Sequence, residues 1–228
     1  MQNKVKLTRR QIKEDKFATF MLASKDRIMD NWQFYVIGAI VVVLLVVAVT
    51  YFIQTRGSST IEAGTKLANA LMDYRQGNNQ VAILGLNQVV EDYSSDPAAE
   101  QATFLLGKVN FAQRNYPEAI RYYDMYLAKY KDNQLYRAAA LAGIAACQEN
   151  QGNYSEAAAK YLAAFEAYSD GPLAGDYNLS AMRCYLNIGD DAKAKARLDD
   201  ISTRYKGTEI VSRALELYAE KGHGQTGS

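Results

Sequence analysis

Arg114-Asn115-Tyr116-Pro117-Glu118-Ala119-Ile120 returns thirty-eight residues later as Gly152-Asn153-Tyr154-Ser155-Glu156-Ala157-Ala158. The echo extends in both directions. Turn-forming residues Asn78, Asn115, Asn153 and Asp190 are separated by 37, 38 and 37 positions. Four residues after each comes an alanine: Ala82, Ala119, Ala157 and Ala194. Four more give Leu86, Tyr123, Tyr161 and Leu198, and a further seven give Tyr93, Tyr130, Tyr168 and Tyr205. A phased, unequal spacing of this kind marks an internal repeat, each copy being one supersecondary unit that needs its neighbours to bury its apolar face.

Each unit reads as helix, tight turn, helix. Ala119, Ile120, Tyr123, Leu127 and Tyr130 fall on one face of a 3.6-residue helix. Pro117 suits a first helical turn, where a missing N–H costs nothing. The alanine lets the two helices of a hairpin approach, and the aromatic fills the space against the next unit. Asn or Gly at the turn tolerates left-handed backbone. The expected fold is therefore all-α, an α-solenoid of about four helix-turn-helix repeats over residues 61–221. Ile210–Ala219 is expected as a closing helix, and residues 222–228 as a flexible, glycine-rich tail.

These units resemble the tetratricopeptide repeat (TPR). The resemblance rests on Leu106-Gly107 with Asn115 to Ile120 and Tyr123, and on Gly152 to Ala158 with Tyr161. The fourth unit keeps Gly189-Asp190 and Ala194 but has Met182 where a small residue is usual. The first keeps Ala70, Gly77-Asn78 and Ala82. The family's proline at the unit end is absent; Ser94, Lys131, Ser169 and Lys206 stand there. Longer units that end in an aromatic are similar to those of bacterial envelope proteins, among them the Tol-Pal coordinator and the outer-membrane assembly lipoprotein.

Ahead of the repeats lies Phe34–Ile53, FYVIGAIVVVLLVVAVTYFI, twenty residues without a charge. A helix of that length spans roughly 30 Å, the hydrocarbon thickness of a bilayer. Trp32, Tyr35, Tyr51 and Phe52 suit the two interfaces. The stretch is longer than a signal-peptide core and has no A-x-A cleavage site after it, so an uncleaved transmembrane anchor is expected. Residues 1–33 carry eight Lys/Arg against four acids, whereas Arg56 stands alone until Lys66. The positive-inside rule then predicts residues 1–33 as a basic cytoplasmic arm, with the repeats translocated. A capping-box spacing, Thr8 to Gln11, and an apolar face of Phe17, Phe20, Met21 and Ile28 predict an amphipathic helix in the arm, fit for lipid or protein. Residues 54–60, with Gly57-Ser58-Ser59-Thr60, read as a linker.

Composition narrows the chemistry. With 26 Lys/Arg and 25 Asp/Glu the net charge is +1, which lacks the basic footprint of a nucleic-acid binder. Two cysteines and one histidine give no zinc set and no Ser-His-Asp or Cys-His arrangement. His223 lies in the tail, where nothing would fix its geometry. No phosphate-binding loop is present. Neither catalysis, nor a cofactor, nor a metal, nor a small-molecule substrate is expected. Cys147 and Cys184 each stand six residues before their turn, in equivalent places in neighbouring units. Equivalent sites are a helix-packing distance apart, too far for a disulfide, so both are expected as packing residues.

What remains is a surface. Stacked hairpins curve, and the first helices line the concave side. Carrying over the family's groove positions selects Tyr74, Phe104, Lys108, Phe111, Glu149, Asn150 and Arg183 as candidates for holding polypeptide. Leu67, Leu71, Leu179 and Leu186 fall at such positions too. The chaperone-tail carboxylate clamp of some relatives is absent as a set. The layout is similar to that of TPR proteins anchored at the bacterial inner membrane and associated with the Sec translocon. It implies a protein-binding scaffold or chaperone-like adaptor in the periplasm, with the translocon or envelope assembly machinery as partner. The alternative is a permanent subunit of an inner-membrane complex, using the span and the convex face.

Overall fold

The computed structural model describes residues 32–222. The basic arm, with its expected helix, and the tail with His223 lie outside the described residues. The chain divides into two compact units, Met1–Ser58 and Ser59–Ser228. Helix α1, Trp32–Arg75, contributes to both.

In the first unit α1 holds a segment, Trp32–Tyr51, of 20 residues with mean hydropathy 2.7, none of it buried among the described residues. By length and composition it is able to cross a membrane. Its bounds lie two residues before the expected ones. Thr50 returns its hydroxyl to the Val46 and Val47 carbonyls, both at 2.9 Å, so its polar group is satisfied within the helix.

Residues 54–60 differ from the expected linker. They are helical, inside α1. Extending an existing helix by one residue costs far less than nucleating a new one, and a single glycine costs only about 1 kcal/mol relative to alanine. The boundary between the units still falls among them, between Ser58 and Ser59.

In the second unit the end of α1 pairs with α2, Asn79–Asp92. Then follow α3 (Pro97–Ala112) with α4 (Tyr116–Lys129), α5 (Gln134–Asn150) with α6 (Tyr154–Ala167), and α7 (Ala174–Asn187) with α8 (Asp191–Arg204). Helix α9, Glu209–Gly222, lies against α7 and α8, longer than the expected closing helix. Consecutive helices pack together, and first helix also meets first helix, α3 on α5 and α7 on α9. No strand occurs among the described residues.

The phased residues occupy the places their spacing implied. Ala82, Ala119, Ala157 and Ala194 are fully buried between the helices of their hairpins, and Leu86, Tyr123, Tyr161 and Leu198 are buried beside them. Met182 is also fully buried, so the larger side chain in the fourth unit is accommodated in the core. Tyr93, Tyr130, Tyr168 and Tyr205 each end a second helix. Cys147 and Cys184 are free thiols inside the stack, and burial pushes both up to about 12.

All four turns are closed alike. The N–H of Asn78, Asn115, Asn153 and Asp190 donates to the carbonyl five residues back, at 2.9, 2.9, 2.9 and 3.0 Å. The residue before each donates three back, from Gly77, Arg114, Gly152 and Gly189. This is the Schellman pairing, which needs left-handed backbone at that residue. The φ angles there are 83°, 60°, 83° and 73°. The Asn and Asp residues themselves keep φ between −78° and −87° and open the next helix. The left-handed residue is therefore the one before the repeated Asn/Asp, and of these four Arg114 alone adopts it without being glycine.

Candidate interaction surface

The sequence-selected groove residues all lie on first helices. Tyr74 comes from α1 within the second unit, Phe104, Lys108 and Phe111 from α3, Glu149 and Asn150 from α5, and Arg183 from α7. Their environments differ sharply.

Phe104 is half-buried in an aromatic cluster. Its ring centroid is 5.7 Å from Tyr123, 5.7 Å from Tyr126 and 4.9 Å from Tyr136, all edge-on. That geometry sets the positive rim of one ring against the negative face of the next. The ring thus joins α3 to α4 and α5. Phe111 lies 5.8 Å from Tyr116 across its own turn. Tyr74 packs against the core that α1 and α2 share with α3 and α4. Lys108, one helical turn from both phenylalanines, is exposed.

Glu149 and Arg183 meet. Arg183 Nε donates to Glu149 Oε1 at 2.7 Å and Nη2 to Oε2 at 2.8 Å, a two-pronged contact that fits the planar guanidinium to the carboxylate. The Tyr161 hydroxyl donates to Oε2 at 2.9 Å from α6. Burial alone would raise the Glu149 carboxyl. The Arg183 hydrogen bonds and charge, the Tyr161 hydroxyl and the Lys221 ammonium outweigh it and hold the group below its ordinary value. Arg183 is raised chiefly by the same hydrogen bonds, against a smaller opposing effect of burial. Asn150, beside Glu149, is exposed and returns its amide to the Ala146 carbonyl at 2.8 Å.

Three partners of this surface escaped sequence reasoning. Tyr161 supplies the third bond to Glu149. Lys221 of α9 donates to Asn187 of α7. Arg213 of α9 bonds Asp176 of α7 at 2.9 Å. Both α9 contacts depend on that helix lying alongside α7; Arg213 falls within the closing helix read over Ile210–Ala219, and Lys221 lies beyond it. The Glu149–Arg183 pair had a signal: opposite charges at facing groove positions of adjacent first helices.

A cleft of about 580 Å³ lies at the edge where α4 turns into α5, lined by Glu100, Lys129, Tyr130, Lys131, Asp132 and Leu135. The Tyr130 hydroxyl is buried. Among the described residues no group of three or more His, Cys, Asp or Glu is placed to hold a metal ion.

Comparison with known proteins agrees with the helical-hairpin fold. Residues 67–134 match the tetratricopeptide repeat family. No curated protein matches the chain. Among solved structures, a kinesin light chain-like protein of Podospora anserina with nearly identical TPR-like repeats is 16% identical, with a TM-score of 0.55. That match covers 72% of this chain and 90% of the other, and a single-substitution variant of the same protein matches equally. The apo form of RapI is 15% identical with a TM-score of 0.60, covering 72% of this chain and 64% of RapI. At such identities the likeness carries the fold alone: α1 to α9 of the second unit form a TPR-like stack of helical hairpins, and residues 67–134 carry the tetratricopeptide signature itself.

Proposed function

We propose that this chain is a membrane-anchored protein-interaction module of the bacterial envelope that binds polypeptide on the face lined by α3, α5 and α7. The observation that carries this reading is the character of that face. Lys108 stands exposed between Phe104 and Phe111, whose rings are braced by tyrosines, while Glu149 and Arg183 are already paired. A rigid scaffold with pre-formed side-chain positions loses little conformational entropy when an extended or helical segment docks. The TPR-like fold supports a protein partner of this general kind.

In this reading Phe111 and Tyr74 offer apolar contact, Lys108 pairs with an acidic group of the client, and Asn150 hydrogen-bonds its backbone. Phe104 stiffens the wall. The apolar first part of α1 anchors the chain in the inner membrane as a single pass, with residues 1–33 cytoplasmic and the stack periplasmic. Anchoring raises the local concentration of a modest site beside the translocon or envelope assembly machinery. The protein brings partners together and transforms none of them.

In-cell photo-crosslinking from position 108 tests the proposal. Protein adducts from 108, with none from Arg121 on α4, are the expected result. Adducts of equal yield from both positions would remove the groove from the account.

A further inference from the structure

Met72 is the repeat counterpart of Val109, Cys147 and Cys184, each six residues before its turn residue. The three later residues are 0% exposed, whereas Met72 is 54% exposed. The cause lies in the stack. Val109 packs with Leu86 and Val89 of the preceding hairpin, Cys147 with Ala119 and Tyr123, and Cys184 with Ala157 and Tyr161. No hairpin precedes α1–α2 among the described residues. Helix α2 repeats the contrast. Gly85 is the counterpart of Tyr122, whose hydroxyl reaches back 2.7 Å to Asn87 of the unit before. Val81 and Leu84 correspond to Glu118 and Arg121, whose side chains are exposed and ion-paired on the outer side of α4. Helix α2 thus carries apolar side chains along a rim that is also in solvent in the later units, with Leu84 66% exposed. The surface that joins hairpin to hairpin through the rest of the stack is therefore left open at its first unit.

We propose that this open face docks against the same face of a second copy of the chain, about a two-fold axis. Continuity with the interface between repeats gives the face its shape and its affinity for a helical pair. Helix α9 selects a second copy in this orientation. It buries Ala214 and lays Ile210, Val211, Leu217 and Tyr218 over the far end of the stack. Head-to-tail growth thus has no free acceptor, and the open face is left to meet its own kind.

The face is also self-complementary, as a two-fold interface must be. Met72 and Leu84 stand out from it. Beside them a cleft of about 270 Å³ runs between α1 and α2, lined by Lys66, Asn69, Ala70, Asp73, Gly85 and Gln88. Gly85 lines it at the position where the next unit has Tyr122, and a Cβ there would come within 3.1 Å of the Ala70 Cβ. Lys66 and Asp73 bring opposite charges to the same cleft. Methionine suits the role of knob, since its unbranched thioether adapts to an irregular recess. The pairing also covers an apolar repeat end that would otherwise lower solubility. It makes no use of the face lined by α3, α5 and α7.

The test uses the full-length chain in membranes of the cells that express it, treated with a short bis-maleimide. Met72→Cys and Leu84→Cys should each give a product of twice the 25.4 kDa chain mass. Leu215→Cys, exposed on α9, should give none, and neither should the wild type, whose own thiols are buried. Adding Leu84→Arg to Met72→Cys should lower the dimer yield at least tenfold with the circular dichroism spectrum unchanged, because that side chain is exposed. The proposal is overturned by uncrosslinked chain at both positions, by equal yield from position 215, or by an adduct of some other mass, which would put a foreign helix on this face.

Discussion

Arg183 on α7 grips Glu149 on α5 with two hydrogen bonds, 2.7 and 2.8 Å long, across 34 residues of sequence. The pair ties the third hairpin to the fourth on the surface where a client would lie. It couples the stiffness of that surface to the charge state of one carboxyl group.

Glu149→Gln should destabilise the stack by about 1–2 kcal/mol, the cost of weakening charge-assisted hydrogen bonds while Arg183 still meets solvent. Urea titration of the full-length chain in detergent measures it. The pH dependence has a definite sign. The Glu149 carboxyl lies below its unfolded value in the folded chain. Its contribution is complete above the unfolded glutamate value of about 4.3 and fades as pH falls through the lower folded one. Wild type should therefore lose more stability than Glu149→Gln on acidification through that window. Parallel losses in the two proteins would refute the linkage.

The ring of Tyr123 is held between two glycines. A Cβ at Gly107 would sit 2.6 Å from its Cε1, and one at Gly143 would sit 2.5 Å from its Cε2. The ring cannot yield to one side without meeting the other helix. Although alanine is the better helix former, Gly143→Ala should destabilise by about 1–3 kcal/mol, the usual cost of overpacking a core. Tyr123→Leu should remove most of that penalty in a double-mutant cycle, read by thermal melting.

Arg114 holds a φ of 60° where the other three hairpins have glycine. Left-handed backbone costs a residue bearing a Cβ about 1–2 kcal/mol. Arg114→Gly should raise stability by roughly 0.5–1 kcal/mol once the greater freedom of unfolded glycine is subtracted. Arg114→Ala should bring no such gain. Melting curves of the two variants separate backbone strain from a side-chain effect.

Cys147 and Cys184 should resist alkylation at about pH 8 in the native chain and react fully in denaturant, since burial pushes both thiols up to about 12. Mass spectrometry after iodoacetamide treatment should find no label on the folded protein and both cysteines labelled on the unfolded one. Rapid native labelling would contradict the packing.

Protease added to spheroplasts should digest the second unit and spare residues 1–33. Survival of the stack in intact spheroplasts, with loss only after lysis, would reverse the proposed orientation.

Much of this architecture was legible because a repeat writes the same constraint several times. One Ala119 says little, but four alanines in phase with four turns identify the tight crossing of each hairpin. What was not legible depended on neighbours rather than on phase. Phe104 stands at a groove position, yet its ring belongs to the tyrosines of α4 and α5, and no local spacing reveals three-way aromatic packing. Asn115 signalled the turn, but the backbone reversal lies at Arg114, a residue type that does not advertise it. The Gly57–Thr60 segment carried linker composition and still continues a helix, because composition weighs less than the helical turns on either side. Met72 and Val109 look alike in sequence, and what separates them is that no hairpin precedes Met72 among the described residues.

The four identical Schellman closures carry a consequence for how such a chain can change length. Since every hairpin closes in the same way, duplicating or deleting one whole unit sets each remaining hairpin against an equivalent face, although the side chains it meets there change. An indel of any other size rotates all downstream side chains by about 100° per residue within the interrupted helix. Gene-level slippage in whole units thus keeps the helical phase, and the stack can be extended or trimmed between its first hairpin and α9.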